Sequence, residues 1–271
     1  MRNDSKKYKN NQGFTLIEIS IVLVIIAFII GGIVVARSMI RSSQLQSVIT
    51  DTARYINAVG QFQKQYSALP GDMATATNYW GTNANCATNG VGANVTQTCN
   101  GDGNGQIYNY NLATATINSM ERYLAWQHLM NAGLVSGKFT GISASAGNNY
   151  TTAIGTNIPT SNVTGAGYDL YYLGVQVGGG GVFFGANYGH ILFLGGTVAS
   201  NVNQKPVLTS AEALNLDTKM DDGLPASGTV LAQPTAASNA PNCTSVASGV
   251  YSYDLTQKEL QVCPLIFITG F

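Results

Sequence analysis

The sequence predicts an α+β protein in which one long N-terminal helix, transmembrane in its first half, packs on an antiparallel β-sheet head with disulfide-closed loops. Three observations predict it. An uncharged apolar run extends from Ile19 to Ala36. A one-sided apolar stripe continues from Leu45 to Tyr66. Runs rich in Tyr, Phe, Val and Leu, bounded by glycines, begin at Tyr168 in a chain with four cysteines and 10% charged residues. The expected organisation is a short basic segment over 1–13, a helix over 14–67 that spans a membrane at about 14–36, and a globular head over 68–271.

Phe14 to Ala36 is a stretch of 23 residues. At about 1.5 Å per residue it reaches roughly 34 Å, enough for a hydrocarbon core of about 30 Å. A secretory signal peptide would carry an apolar region of about 7–15 residues and a small-x-small cleavage site. This run is longer, and Val34-Val35-Ala36-Arg37 is a poor site. A plain anchor explains the length but leaves Glu18 unexplained. An acid at the centre of a spanning helix costs about 2.5–3.5 kcal/mol on insertion scales, so it calls for a partner. Arg2, Lys6, Lys7 and Lys9 against Asp4 make the first segment +3. Positive flanks stay cytoplasmic, which sends everything after Ala36 outward. Four cysteines agree with an oxidising compartment.

Gly13-Phe14-Thr15-Leu16-Ile17-Glu18 resembles the prepilin cleavage and methylation motif of type IV pilins and type II secretion pseudopilins. The resemblance covers roughly residues 6–40. It implies a leader peptide over 1–13, cleavage by a prepilin peptidase between Gly13 and Phe14, and N-methylation of Phe14. It also implies that Glu18 pairs with the N-terminal amine of a neighbouring subunit. A buried carboxylate needs such a cation. The implied location is a single pass through the bacterial inner membrane, N-terminus cytoplasmic and head periplasmic, then a periplasmic or cell-surface filament. The implied partners are other pilin-like subunits in a homo-oligomeric filament and an inner-membrane assembly platform. Many family members carry a proline in this apolar helix. This chain has none there, and Gly31-Gly32 is its weak point instead.

The leader takes four of thirteen basic and one of thirteen acidic residues, which leaves nine against twelve, or −3. Non-specific nucleic-acid binding needs clustered Lys and Arg. These are few and scattered, so no nucleic-acid partner is expected. About 200 exported residues suffice for one well-cored domain.

Beyond the membrane run, Leu45, Val48, Thr52, Tyr55, Val59, Phe62 and Tyr66 recur in steps of three and four, one face of an amphipathic helix. Leu69-Pro70-Gly71 should end it, because the residue before proline avoids the α region. The stripe needs a cover, and the chain's own sheet is favoured over a free coiled coil. The pilin resemblance implies the same cover.

Residues 70–117 read as loop. Cys86 and Cys99 are expected to bridge, closing a short loop worth about 3 kcal/mol in the chain-entropy model. Asn100, Asp102, Asn104, Gly105 and Gln106 then place oxygen side chains at alternate positions with a glycine sixth, the front half of an EF-hand-type calcium loop. Position 12 is Asn111 rather than glutamate, so Glu121 or Asp72 would have to fold back to complete it. The candidate ligands are Asn100, Asp102, Asn104, Gln106 and Glu121. The competing reading is a tight polar turn with Asx caps. No cofactor is required in either case, and calcium is the candidate ion.

Asn118-Ser119-Met120-Glu121 reads as a capping box that opens a second helix, with Gly133 as its C′ residue. Glu121 therefore has a competing duty as cap. Trp126 and His128 lie in that helix, and a lone histidine reads as packed or surface rather than as a ligand. Strands are expected over 168–177, 182–184 and 191–198. Gly178 to Gly181 reads as a turn. Thr209-Ser210-Ala211-Glu212 is another capping box, with a short helix before Asp217. Asp217, Asp221 and Asp222 read as a turn, or as a second cation site. Ala68 to Asp72, Ala125 to Leu129 and Lys219 to Gly223 look like segments of a large-head subgroup of pilin-like proteins. Cys243 and Cys263 are paired by sequence proximity, although four cysteines allow three pairings. They bracket a terminal hairpin or edge strand, Tyr251 to Val262.

No catalytic motif occurs among two histidines, no G-x-S-x-G, no H-E-x-x-H and no C-x-x-C, so no enzyme is expected. Two functions remain. One is a structural subunit of a type IV pilus or pseudopilus. The other is a low-copy minor pilin or adhesin whose head binds a surface or glycan.

Overall fold

The computed structural model describes residues 13–84, 86, 96–108, 121–143, 151–177, 183–197, 205–234, 242–257 and 259–271. The leader before Gly13, the cap Asn118–Met120, Asn111 and the Gly178–Gly181 turn lie outside the described residues. Two compact units divide the chain at Ser43 and Gln44. Helix α1 (Leu16–Tyr66) contributes to both.

In the first unit the helix is apolar all round. Its side chains from Leu16 to Ile40 are exposed, and an 18-residue window within it is long and apolar enough to cross a membrane. In the second unit the pattern changes to one face. Val48, Thr52, Tyr55, Val59 and Phe62 are buried, with Leu45 and Tyr66 half-buried at the ends of the stripe. The helix stops where Ser67 turns left-handed at φ 53°. Leu69 and Pro70 follow and do not resume it.

The head continues with α2 (Thr77–Trp80) and α3 (Glu121–Asn131), then β1 (Gly167–Tyr172), β2 (Val175–Gln176), β3 (Ala186–Asn187), β4 (His190–Gly195) and β5 (Leu208–Thr209). After these come α4 (Ser210–Met220), β6 (Val230–Ala232), β7 (Thr244–Ala247), β8 (Val250–Tyr253), a 3-10 turn (Leu255–Gln257), β9 (Gln261–Cys263) and β10 (Leu265–Ile268). The main sheet is antiparallel, in the order β1-β4-β10-β6. Alternation along its strands separates two faces. Leu170, Leu192, Leu194, Leu265, Phe267 and Val230 join the α1 stripe in the main core. Tyr171, Ile191, Phe193, Leu231 and Ile266 form a second apolar layer. Tyr55 locks α1 into the first face, with its ring edge-on to Trp126 at 4.9 Å and to Tyr168 at 5.1 Å.

Several expected strands differ. The one from Tyr168 breaks after Tyr172, because Gly174 adopts φ 67° and both Leu173 and Gly174 donate to the Gly189 carbonyl. The strand expected at 182–184 lies instead at Ala186–Asn187, and Val182 is outside the described residues. Helix α4 opens on the Thr209–Glu212 capping box, then runs past Asp217 to Met220. The terminal segment is more complex than one hairpin. β7 and β8 pair with each other, β9 pairs with β5, and β10 enters the middle of the main sheet. Disulfides join Cys86 to Cys99 and Cys243 to Cys263.

One ion pair is fully buried. Arg122 of α3 donates from Nε to Asp169 Oδ1 of β1 at 3.0 Å, and its terminal nitrogen meets Oδ2. The guanidinium also lies over the Tyr171 ring at 4.9 Å. Removing one partner strands a charge in the core, whereas removing both does not. In urea unfolding of the full chain in detergent, Asp169→Asn is expected to lose about 3–5 kcal/mol. Paired replacement Arg122→Met with Asp169→Leu should lose far less. Equal losses would show that the pair is not coupled.

Candidate functional site

The first candidate lies in the N-terminal unit. Gly13 and Phe14 are exposed, Phe14 at 84%. Glu18 sits in the first turn of α1. Its Oε2 accepts from Thr15 N at 2.7 Å and Thr15 Oγ1 at 2.8 Å, while Glu18 N donates to Thr15 Oγ1 at 3.3 Å. Thr15-Leu16-Ile17-Glu18 is thus a capping box. The carboxylate also lies at the positive end of the helix dipole. The sequence carried this signal in its T-x-x-E spacing.

The second candidate lies in the head. The turn after α1 brings Asp72 against the 100–106 loop and the start of α3. Gly71 at φ 88° makes this approach feasible, since a Cβ there would lie 2.3 Å from the Glu121 carbonyl. A Cβ on Gly101 would meet the Gly71 carbonyl at the same distance, 2.3 Å. Asp72, Asp102 and Glu121 consequently converge, with carboxylate oxygens within 4.8 Å of one another. Each carboxylate also serves the loop. Asp72 accepts from Asn104 N and Gly105 N, both at 2.9 Å. Glu121 accepts from Asp102 N at 2.9 Å and Tyr108 N at 2.7 Å. Asp102 accepts from Asn104 N at 3.1 Å and Asn104 Nδ2 at 2.9 Å.

The amides expected as ligands have other engagements. Asn100 Oδ1 accepts from Thr77 N at 2.8 Å, and Asn104 Oδ1 from Gln106 N at 2.8 Å. Gln106 enters the loop through that backbone group. The Asx turns and the acid cluster therefore coexist. The donor set is three carboxylates of hard oxygen, which suits a hard divalent cation. Burial pushes Glu121 up to about 7, and the charges of Asp102 and Asp72 add to the rise against two backbone N–H groups. Burial raises Asp72 as well.

Residues of α3 that sequence reasoning left as packing secure this loop. His128 is buried and accepts Gly71 N–H at Nδ1, 2.9 Å away. Thr98 Oγ1 donates to Gln127 Oε1 at 2.7 Å, and Gln127 Nε2 donates to the carbonyls of Gln97 and Thr140, each at 3.1 Å. Burial holds the His128 ring down at about 4. Ala68–Asp72 and Ala125–Leu129 are thus two halves of one junction.

The other acidic group, Asp217, Asp221 and Asp222, organises the loop before β6. Asp217 accepts from Tyr253 OH at 2.7 Å and Gly223 N at 3.1 Å. Asp221 accepts from Thr229 N and Val230 N, and Asp222 from Leu224 N and Ser227 Oγ. These bonds make a turn, and the three carboxylates also converge within 4.8 Å of one another. A cleft of about 600 Å³ opens beside the first acid cluster, lined by Gln63, Tyr66, Asp72, Met73, Gly103 and Phe271 among others.

Residues 8–34 match the family model described as the prokaryotic N-terminal methylation motif, the signature of type IV pilins and pseudopilins. No curated protein and no solved structure matches the chain.

Glu121 has a folded value of about 7 against an ordinary 4.5, so the folded chain binds this proton more tightly. Its contribution to stability is present at low pH and is lost as pH rises through that window. With chelator present, the wild-type melting temperature should fall relative to Glu121→Gln between pH 4.5 and 7.5. A constant difference across that range would show that Glu121 titrates normally.

Proposed function

We propose that the protein is a structural subunit of a type IV pilus or a type II secretion pseudopilus. The observation that carries this reading is the methylation motif at 8–34 on a helix whose apolar first half is uncovered. In this reading the leader is cut between Gly13 and Phe14, and Phe14 is N-methylated. Residues 14–36 hold the subunit in the inner membrane until assembly, when copies of the helix cover one another's apolar side chains. Each side chain so covered contributes roughly 1.5–3 kcal/mol. Glu18 then receives the amine of a neighbour's Phe14, which offsets the cost of carrying its charge into an apolar core.

A second reading is a low-copy minor pilin or adhesin, and the cleft beside Asp72 and Tyr66 favours it. Abundance in sheared filaments separates the two, because a main subunit dominates them and a tip subunit is rare. The resemblance of Ala68–Asp72, Ala125–Leu129 and Lys219–Gly223 to segments of the large-head subgroup supports assigning the chain to that subgroup on this reading.

We propose calcium as the ion for the Asp72, Asp102 and Glu121 cluster, on the grounds of oxygen donors and their proximity. A cation there would relieve the repulsion that helps raise Glu121. An ion that binds only the folded state adds stability by mass action. Melting of the full chain in detergent should therefore rise in millimolar calcium and fall in chelator. Equal melting temperatures would retire the ion and leave a polar turn.

Processing is tested by mass spectrometry. The mature chain should begin at N-methylated Phe14, and Gly13→Val should leave the precursor in the membrane. A mature chain that begins near Arg37 would overturn the pilin reading in favour of a signal peptide. Glutamine also serves in a capping box. Glu18→Gln should therefore keep the helix start, insert and be cut, yet be depleted from filaments co-assembled with wild type. Equal incorporation would remove the inter-subunit pair from the account.

A further inference from the structure

Both histidines of the chain hold the same segment. His128 on α3 accepts Gly71 N–H at Nδ1, 2.9 Å away, and its Nε2 faces Thr98 Oγ1 at 2.9 Å and the Cys99 carbonyl at 3.2 Å. His190 at the start of β4 accepts Ile107 N–H at Nε2, 3.1 Å away, and its Nδ1 donates to a main-chain carboxyl oxygen of Phe271 at 2.8 Å. Gly71 and Ile107 are the two ends of the segment that carries Asp72, the Cys86–Cys99 disulfide and the 100–106 loop.

A backbone N–H only donates, so each ring must offer a lone pair at the nitrogen it meets. The tautomers are thereby fixed and opposite. The proton sits on Nε2 in His128 and on Nδ1 in His190. An imidazolium offers no lone pair. Protonation of either ring deletes its bond to the segment and sets N–H against N–H.

We propose that His128 and His190 form a two-point, acid-sensitive clamp that holds the backbone at Gly71 and at Ile107 while both rings are neutral and releases both points when they are protonated. This inference is independent of the filament reading.

The surroundings favour the neutral rings. His128 stacks on Phe62 at 6.2 Å and lies 5.4 Å from Trp80, with Thr98 and Cys99 beyond. Cys99 is held in a disulfide. His190 lies between Tyr172 at 5.1 Å and Phe271 at 5.4 Å. Tyr172 is the titratable side chain facing it. Burial is the larger influence on both rings, opposed in each by one hydrogen bond to a main-chain oxygen, of Cys99 for His128 and of Phe271 for His190. The Phe271 carboxyl is the charged group facing His190, and it works against the neutral ring. A base held below its ordinary value adds stability above the unfolded value and loses it as pH falls toward the folded one. Asp72 and Glu121, on or beside the same segment, titrate with the opposite sign. They are common to wild type and histidine variants, so differences between those proteins isolate the rings.

The test is amide exchange of the full chain in detergent with chelator, between pH 7 and 4.5, read as opening constants for Gly71 and Ile107. Each ring that is neutral when closed and protonated when open should steepen the rise in opening by about tenfold per pH unit. His128→Asn and His190→Gln keep an acceptor near the required position and should each lose that factor. Variants that retain the wild-type slope would overturn the clamp. Ring carbon and nitrogen shifts of the wild type give a reading that needs no variant. Opposite tautomers at pH 7 and ring protonation that tracks loss of protection at Gly71 and Ile107 are expected. Equal tautomers, or rings that protonate while both amides stay protected, would overturn it.

Discussion

Helix α1 must satisfy two surroundings with one continuous backbone. From Leu16 to Ile40 its Leu, Ile, Val and Phe side chains point outward on every side and are exposed. From Leu45 the same helix buries a single stripe. The change falls at Arg41-Ser42-Ser43, which is also where the compact units divide. The head is built around the second half. The main sheet turns Leu170, Leu192, Leu194 and Phe267 toward Val48, Tyr55, Val59 and Phe62, and α3 adds Tyr123 and Trp126. Without that cover the stripe would face water. Without an apolar surrounding for the first half, so would seventeen large apolar side chains from Leu16 to Ile40. A membrane, or copies of the same helix, is what physical chemistry asks for there.

The price of a sheet this short is a long irregular connection. Residues 67–108 contain one short helix, α2, among the described residues, yet the backbone at Leu69 to Met73, at Thr98 and Cys99 and at Ile107 is buried, and that of the 102–108 loop is partly so. Buried N–H groups need acceptors. The chain supplies them as side chains: His128 for Gly71, His190 for Ile107, Asp72 for Asn104 and Gly105, and Glu121 for Asp102 and Tyr108. Two of these four acceptors, Asp72 and Glu121, are carboxylates, and the geometry that satisfies the backbone also crowds them against a third, Asp102. The raised Glu121 follows first from burial, with the crowded charges of Asp102 and Asp72 adding to it against the two N–H groups it accepts from.

What the sequence disclosed was local or periodic. The three-and-four stripe marked the buried face of α1, the T-x-x-E spacing marked the start of α4, and proximity paired the cysteines as they bond. What it hid was non-local. Leu265 to Ile268 is a continuous apolar run because both faces of β10 are covered, and such a run carries no alternation to betray a central strand. Nothing adjacent to Arg122 or Asp169 says that the two meet across 47 residues. His128 read as packed or surface because its partners, Gly71 N–H, Thr98 Oγ1 and the Cys99 carbonyl, are backbone groups or a hydroxyl far along the chain. The need for Glu121 or Asp72 to fold back on the 100–106 loop was legible in the sequence, and in the fold both converge there with Asp102.

On the proposed filament reading, Glu18 would serve two states with one side chain. In the single subunit its carboxylate closes the capping box with Thr15, through one oxygen. A carboxylate offers about four lone-pair sites on two oxygens, so the box leaves acceptor capacity for an ammonium. The cap orients the group toward the start of the helix, where cleavage after Gly13 would create a free amine one residue before Thr15. The box also reduces the cost of carrying the charge before any neighbour arrives, since two donors are already aimed at it. A cap that holds the carboxylate in place beforehand lowers the ordering entropy of a later ion pair. The apolar context that made Glu18 look anomalous is therefore only half of its setting. The other half is the threonine three residues before it.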